Sequence, residues 1–201
     1  MEEKKLKIFH LPVSENATNT LRIKAMKNVF EQQELAEVFI YDPKEHEELT
    51  ESDLKHAISE ADLIMARETP TPMALLVREK FPRKRFVYDL DDNPWEVLPS
   101  STAYKNLGIE DVIINNKPVW MTGITQGFNR YKNIWNLIQY DFMVSQSDLV
   151  TTTSIALAEK IAMDYSKETR YIPLYIDFEN YPDYEVVSNT KKKDEFRIVW
   201  N

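Results

Sequence analysis

The sequence predicts an α/β protein on an open, doubly wound parallel sheet of Rossmann-like type, and three observations predict it. Short β-branched and aromatic runs alternate with stretches of helical spacing, the arrangement of parallel strands joined by right-handed crossovers. Residues 85–95, RFVYDLDDNPW, form an apolar run that ends in Asp89, Asp91 and Asp92 and then meets Asn93-Pro94. Such a run reads as a buried strand, and the proline forces the chain out of it in an extended loop. Finally, Asp148-Leu149-Val150 echoes Asp62-Leu63-Ile64, two strand starts of the same make in separate units. In an open α/β sheet ligands bind at the carboxyl edge, which is where the three carboxylates converge.

The first strand is read over residues 5–11 (KLKIFHL), ending at His10 and Pro12. A polar loop, residues 14–20, precedes helical spacing at Leu21, Ala25, Met26, Val29 and Phe30. Val38-Phe39-Ile40-Tyr41 is the second strand, stopped by Asp42-Pro43. The acidic stretch 45–60 is expected to be a solvated helix capped at Thr50 or Ser52, with Leu54 and Ile58 facing inward. Residues 62–66 form strand three, and Thr71-Pro72 marks the N-cap and first position of the next helix. Residues 85–92 follow as strand four.

From 99 to 127 the periodicity weakens. Asn115-Asn116-Lys117, flanked by Val112-Ile113-Ile114 and Pro118-Val119-Trp120-Met121, suggests a hairpin or flap within a long loop that holds all three glycines. The helix from about 128 to 145 sets Phe128, Tyr131, Trp135, Ile138 and Phe142 on one face, which is read as its core stripe. Residues 148–152 are the next strand, Ser154 caps the helix through Leu157, Ile161 and Tyr165, and 171–176 is extended again. The chain divides into one Rossmann-like unit at 1–178, an aperiodic linker at 179–195, and a strand at 196–201 that opens a further domain.

Composition narrows the function classes. With 201 residues the chain supports one good core, and 43% hydrophobic with 29% charged residues is ordinary for a soluble globular domain. A formal net charge of -8 with no clustered basic face argues against a nucleic-acid partner. No cysteine is present, so disulfides, thiolate metal sites and thiol nucleophiles are excluded. No signal-like or membrane-spanning run is visible, which makes the cytoplasm the expected location. The only glycines are Gly108, Gly123 and Gly127, and none lies at the first strand-to-helix turn. A dinucleotide fingerprint and a P-loop both need glycines there, so neither is present and no cofactor is expected.

Four segments carry a resemblance. Strand 86–92 followed by Trp95 is similar to a "hydrophobic strand, Asp-Asp, then tryptophan" segment; Ser147-Asp148-Leu149-Val150-Thr151-Thr152 leading to Ala158 is similar to an "aDlVtvsT..La" element; Tyr171-Ile172-Pro173 to Asp177 is similar to a "v.PNgiD" crossing; and Phe196-Arg197-Ile198-Val199-Trp200 looks like the first strand of a second domain. In order and spacing these resemble the N-terminal domain of two-Rossmann-domain (GT-B) glycosyltransferases, the large retaining, group 1 or family 4-like set. Leu174 and Tyr175 stand where that family usually carries Asn-Gly. The resemblance implies the acceptor-binding half of a metal-independent enzyme. It would move a sugar from a nucleotide-diphosphate sugar to a glycan or other acceptor. A C-terminal domain would hold the donor and would be needed for activity, and a half lacking it would expose a surface for self-association.

Site candidates follow, each with a plainer alternative. Asp91 and Asp92 are the catalytic candidates, as hydroxyl acceptors or a general base; otherwise they clamp backbone N–H groups of the loop. Asp89 shares a face with Asp91 and is a further acceptor-binding candidate; with Asp92 the trio also has the chemistry for a hard cation, but no further ligand set accompanies it and the resemblance implies metal-independent transfer, so no metal is expected. Trp95 offers a face for a sugar ring, or a loop anchor. His10 is an acceptor-side ligand, or a histidine satisfied by loop backbone. The resemblance places Arg22 near donor phosphate or acceptor. Thr153 and Ser154 precede a helix and suit a donor anion, or simply cap that helix. The competing functions are a non-catalytic binding or structural module derived from a glycosyltransferase half, and an unrelated flavodoxin-like or response-regulator-like domain.

Overall fold

A computed structural model describes residues 5–12, 20–119 and 127–173. Its strands are β1 (Leu6–His10), β2 (Ala36–Ile40), β3 (Leu63–Arg67), β4 (Arg85–Leu90), β5 (Ile113–Ile114), β6 (Lys117–Pro118), β7 (Leu149–Thr152) and β8 (Thr169–Tyr171). Six of them make one parallel sheet in the order β2-β1-β3-β4-β7-β8. The helices are α1 (Ala25–Gln32), α2 (Glu51–Glu60), α3 (Pro72–Lys80), α4 (Tyr104–Leu107), α5 (Arg130–Gln146) and α6 (Ile155–Tyr165). The protein is therefore an α/β open parallel sheet of Rossmann-like type. The linker and final strand expected at 179–195 and 196–201 lie outside the described residues.

The sheet order reverses direction once. The chain steps from β1 outward to β2, then crosses back over β1 to β3 and continues one way to β8. Right-handed crossovers then put the first helix on one face and the later ones on the other. The packing follows that rule. Met26 and Phe30 of α1 lie on Ile8, Ala36 and Val38, with Leu63 and Met65 alongside. On the opposite face Phe9, Ile64, Phe86, Tyr88, Leu90 and Val150 pack against Ile58, Val77, Met143, Val144, Leu157 and Ile161. Strand alternation makes this division, since Phe86, Tyr88 and Leu90 point one way and Val87 and Asp89 the other.

Local chemistry sets the helix starts. Thr50 accepts from the Asp53 amide while the Asp53 carboxylate accepts from the Thr50 amide, a reciprocal capping box. Helix α2 thus starts at Glu51 and not near Glu45 as expected, because residues 42–49 form turns, with the His46 ring beside Phe39 and Tyr41 and bonded to the Asp42 backbone. Thr71, Asn129 and Ser154 cap α3, α5 and α6 through the amides of Ala74, Lys132 and Leu157. The expected hairpin is present: β5 and β6 pair antiparallel across Asn115 and Asn116, both at positive φ of 51° and 60°, the geometry of a type I′ turn.

One expectation is reversed. Of the expected stripe, Tyr131, Trp135, Ile138 and Phe142 on α5 face solvent, whereas Phe128 precedes the helix, half-buried and stacked on Tyr104; the core side of the helix is Asn133, Tyr140, Met143 and Val144. Among the described residues no helix is long and apolar enough to cross a membrane.

Candidate functional site

The carboxyl edge of the sheet carries one ion-pair network, built by strand register. Arg67 ends β3, Asp89 lies opposite it on β4, and Thr151 lies opposite Asp89 on β7. All three side chains come from the face that α1 covers. Arg67 is fully buried, with Nε 3.0 Å from Asp89 Oδ2, Nη1 2.8 Å from Glu68 Oε1, and Nη2 paired with Asp91 Oδ2. Thr151 Oγ1 donates to Asp89 Oδ1. A buried guanidinium is tolerable only with such compensation, and three carboxylates provide it.

Arg22 closes the network from above. It sits in a single π-helical turn, Thr20–Lys24, that leads into α1. Its Nε and Nη2 donate to the two Asp89 oxygens at 2.6 Å each, a bidentate fork. Its Nη1 donates to the Ile172 carbonyl at 2.8 Å, and Nε is 3.6 Å from Asp91 Oδ1. Burial alone would lower the pKa of Arg22, but the hydrogen bond and charge of Asp89, aided by Asp91, raise it. The turn after β1 and the ends of β3 and β7 therefore meet at Asp89, and Arg22 carries the network on to the segment after β8.

His10 lies beneath this network, at the end of β1, and is buried. Its Nδ1–H donates to the Leu11 carbonyl at 2.7 Å. Burial pushes its pKa down to about 4, against the opposing pull of the Leu11 bond and Asp89, with Arg67 adding to the depression. The imidazole is thus neutral near pH 7. His10, Arg22, Asp89 and Thr151 form the polar floor of a cavity of about 480 Å³ whose walls are Ile23, Met26, Val29, Phe30, Met65, Ile172 and Pro173. It sits at the topological switch point, between the ends of β1 and β3.

A second cleft, of about 830 Å³, lies across the ends of β3, β4 and β7. Glu68, Asp91, Asp92, Asn93, Glu96 and Thr153 are among its polar lining. Asp91 and Asp92 differ sharply here. The Asp91 carboxylate is caught between Arg67 and Arg22, and its pKa is raised, chiefly by burial and despite Arg67. Its Oδ1 accepts no hydrogen bond. Asp92 is exposed in the cleft. Glu68 holds a positive φ of 55°, pinned by its amide on the Asp89 carbonyl at 2.9 Å and by Tyr88 OH on its own carbonyl.

The remaining candidates sit as follows. Trp95 lines neither cavity: its Nε1 donates to Asp141 Oδ1 at 2.8 Å, and its ring packs on Tyr165 and Tyr140. Thr153 reaches the Asp91 carbonyl at 3.5 Å, while Ser154 caps α6. The sequence reading brought His10, Arg22 and the aspartates together but omitted Arg67, Glu68 and Thr151. Arg67 carries a visible signal, a charge at the end of an apolar strand that runs one residue beyond the expected end at Ala66. Among the described residues no group of three His, Cys, Asp or Glu side chains is arranged to hold a metal ion. No protein-family model and no curated protein matches the chain.

Proposed function

We propose that this chain is the acceptor-side, N-terminal half of a GT-B glycosyltransferase, acting in the cytoplasm on a glycan or other hydroxyl-bearing acceptor with a nucleotide-diphosphate sugar as donor. The observation that carries the reading is the cleft at the carboxyl edge, where exposed Asp92 stands beside Asp91, Asn93 and Thr153. Carboxylates and amides in a cleft of this size suit the hydroxyls of a sugar. Within the reading Asp92 is the group that meets the acceptor hydroxyl, and Asp91 holds the loop against Arg67. Transfer needs a second domain to bring the donor and exclude water.

A glycan array probed with the 201-residue chain tests this, followed by calorimetry on whatever is retained. Oligosaccharide binding is expected, and Asp92→Asn should weaken it about tenfold, or ~1.4 kcal/mol. No retained glycan, or binding indifferent to Asp92, would reject the assignment. UDP- and GDP-sugars should bind weakly or not at all to this chain alone.

A second reading, a non-catalytic glycan- or protein-holding module, is favoured by the way two arginines neutralise Asp89 and Asp91. Labelled-sugar transfer by the chain joined to a donor domain separates the two. The flavodoxin-like or response-regulator-like reading is weaker, since Asp89 already meets the guanidinium groups of Arg22 and Arg67 and the Thr151 hydroxyl, leaving a cation little to bind.

A further inference from the structure

Helix α5 is built inside out. Its solvent side carries Tyr131, 85% exposed, Trp135, 65%, Ile138, 45%, Phe142, 38%, and Ile134, 38%. The spacing of 131, 135, 138 and 142 is four, three, four, which is the a/d seam of a heptad repeat and not a scatter of surface residues. The charged positions flanking this face are Arg130 and Lys132, both in the first turn, and Asp141, which adjoins Phe142 and accepts from Trp95 and Tyr165; the first turn has no acid and the last turn no base. That is the wrong polarity for the helix's own dipole, whose positive end lies at its start.

From this geometry we infer that the stripe is an isologous interface, on which α5 of a second copy of this chain docks antiparallel. A two-fold axis between Trp135 and Ile138 sets Tyr131 against Phe142 of the other copy and Trp135 against its Ile138. The same operation brings Arg130 and Lys132 over the partner helix's carboxyl-terminal turn, where the dipole is negative and no basic residue competes. At ~150–250 Å² per fully covered aromatic, the stripe offers roughly 500 Å² per copy. A standard interface takes about 800 Å² per partner, and the stems of the flanking Arg130, Lys132 and Gln146 supply part of the remainder. At 17 residues α5 is about 25 Å long, enough for the whole seam to engage.

Sedimentation equilibrium of the 201-residue chain over a dilution series tests the pairing. Twice the protomer mass is expected, falling to the protomer mass on dilution. Trp135→Glu and Tyr131→Glu should each abolish the dimer with thermal unfolding of the protomer unchanged, whereas Leu76→Glu, on an exposed apolar residue of α3, should leave it intact. Because the chain has no cysteine, direction is read by disulfide trapping. Tyr131→Cys mixed with Phe142→Cys should cross-link, and Tyr131→Cys alone should not. A monomer at every concentration, a dimer that survives Trp135→Glu, homotypic cross-linking through position 131, or capture of the monomer by neutral lipid vesicles through this stripe would each overturn the inference.

Discussion

His10 shows how a single buried side chain ties stability to pH. Its native pKa is about 4, against an ordinary value of 6.5. Between those values the unfolded chain binds a proton that the native state refuses, so stability rises with pH through the window. It is complete above pH 6.5 and lost progressively toward pH 4, by about 3 kcal/mol for this site. Urea titrations of His10→Asn should lack that segment of the pH profile; an unchanged slope would mean that another group titrates there. Arg67 is the more severe position. Arg67→Met strands Asp89, Asp91 and Glu68 around a lost charge and should cost ~3–5 kcal/mol, with Arg67→Lys intermediate because a point charge cannot span three carboxylates. Full stability in Arg67→Met would show that Arg22 alone carries the site. The aspartates were legible because they cluster within four residues. That Arg67 and Thr151 join them was not, since they reach Asp89 only through a register that pairs residues 22 and 62 positions away.

Elements were legible wherever a cap and a period agreed. Thr71-Pro72 and Ser154 marked the starts of α3 and α6 correctly. Ser154→Ala should therefore cost about 1 kcal/mol, and a loss under a few tenths in chemical denaturation would reduce the hydroxyl to an ornament of the turn. Gly108 follows α4 under a different constraint. A Cβ there would lie 2.5 Å from the ring of Tyr104, which is buried and donates to the Glu110 carbonyl. Gly108→Ala should thus cost ~1–3 kcal/mol from overpacking alone. A neutral result would show that the α4 turn gives way freely. Helix α5 was misjudged because both of its sides are apolar. Periodicity finds a stripe but does not say which stripe meets the sheet, and the inward one, with Asn133 and Tyr140 in it, looks the more polar of the two. The Asn133 Nδ2 donates there to the Gly108 carbonyl at 2.7 Å, while its Oδ1 is buried without a hydrogen bond.

At the scale of the molecule, the parallel order was foreseeable from alternation, while the place where it reverses was not. The reversal is a matter of which side β3 joins, and no residue in isolation records it. Its result is that β3 and β4 lie centrally and β2 and β8 at the rims. Hydrogen exchange should accordingly release the amides of β2 and the three-residue β8 by local opening, and those of Ile64 and Tyr88 only on global unfolding. Equal protection across all six strands would contradict this ranking.

The contact of Arg22 with the Ile172 carbonyl spans 150 residues of chain. At ~5–20 residues per second, a ribosome takes roughly 8–30 seconds to travel that far. Throughout that interval the nascent segment bearing Arg22 waits for its final tether, so this turn is among the last parts of the fold to be locked, and chaperones or proteases have that long to find it.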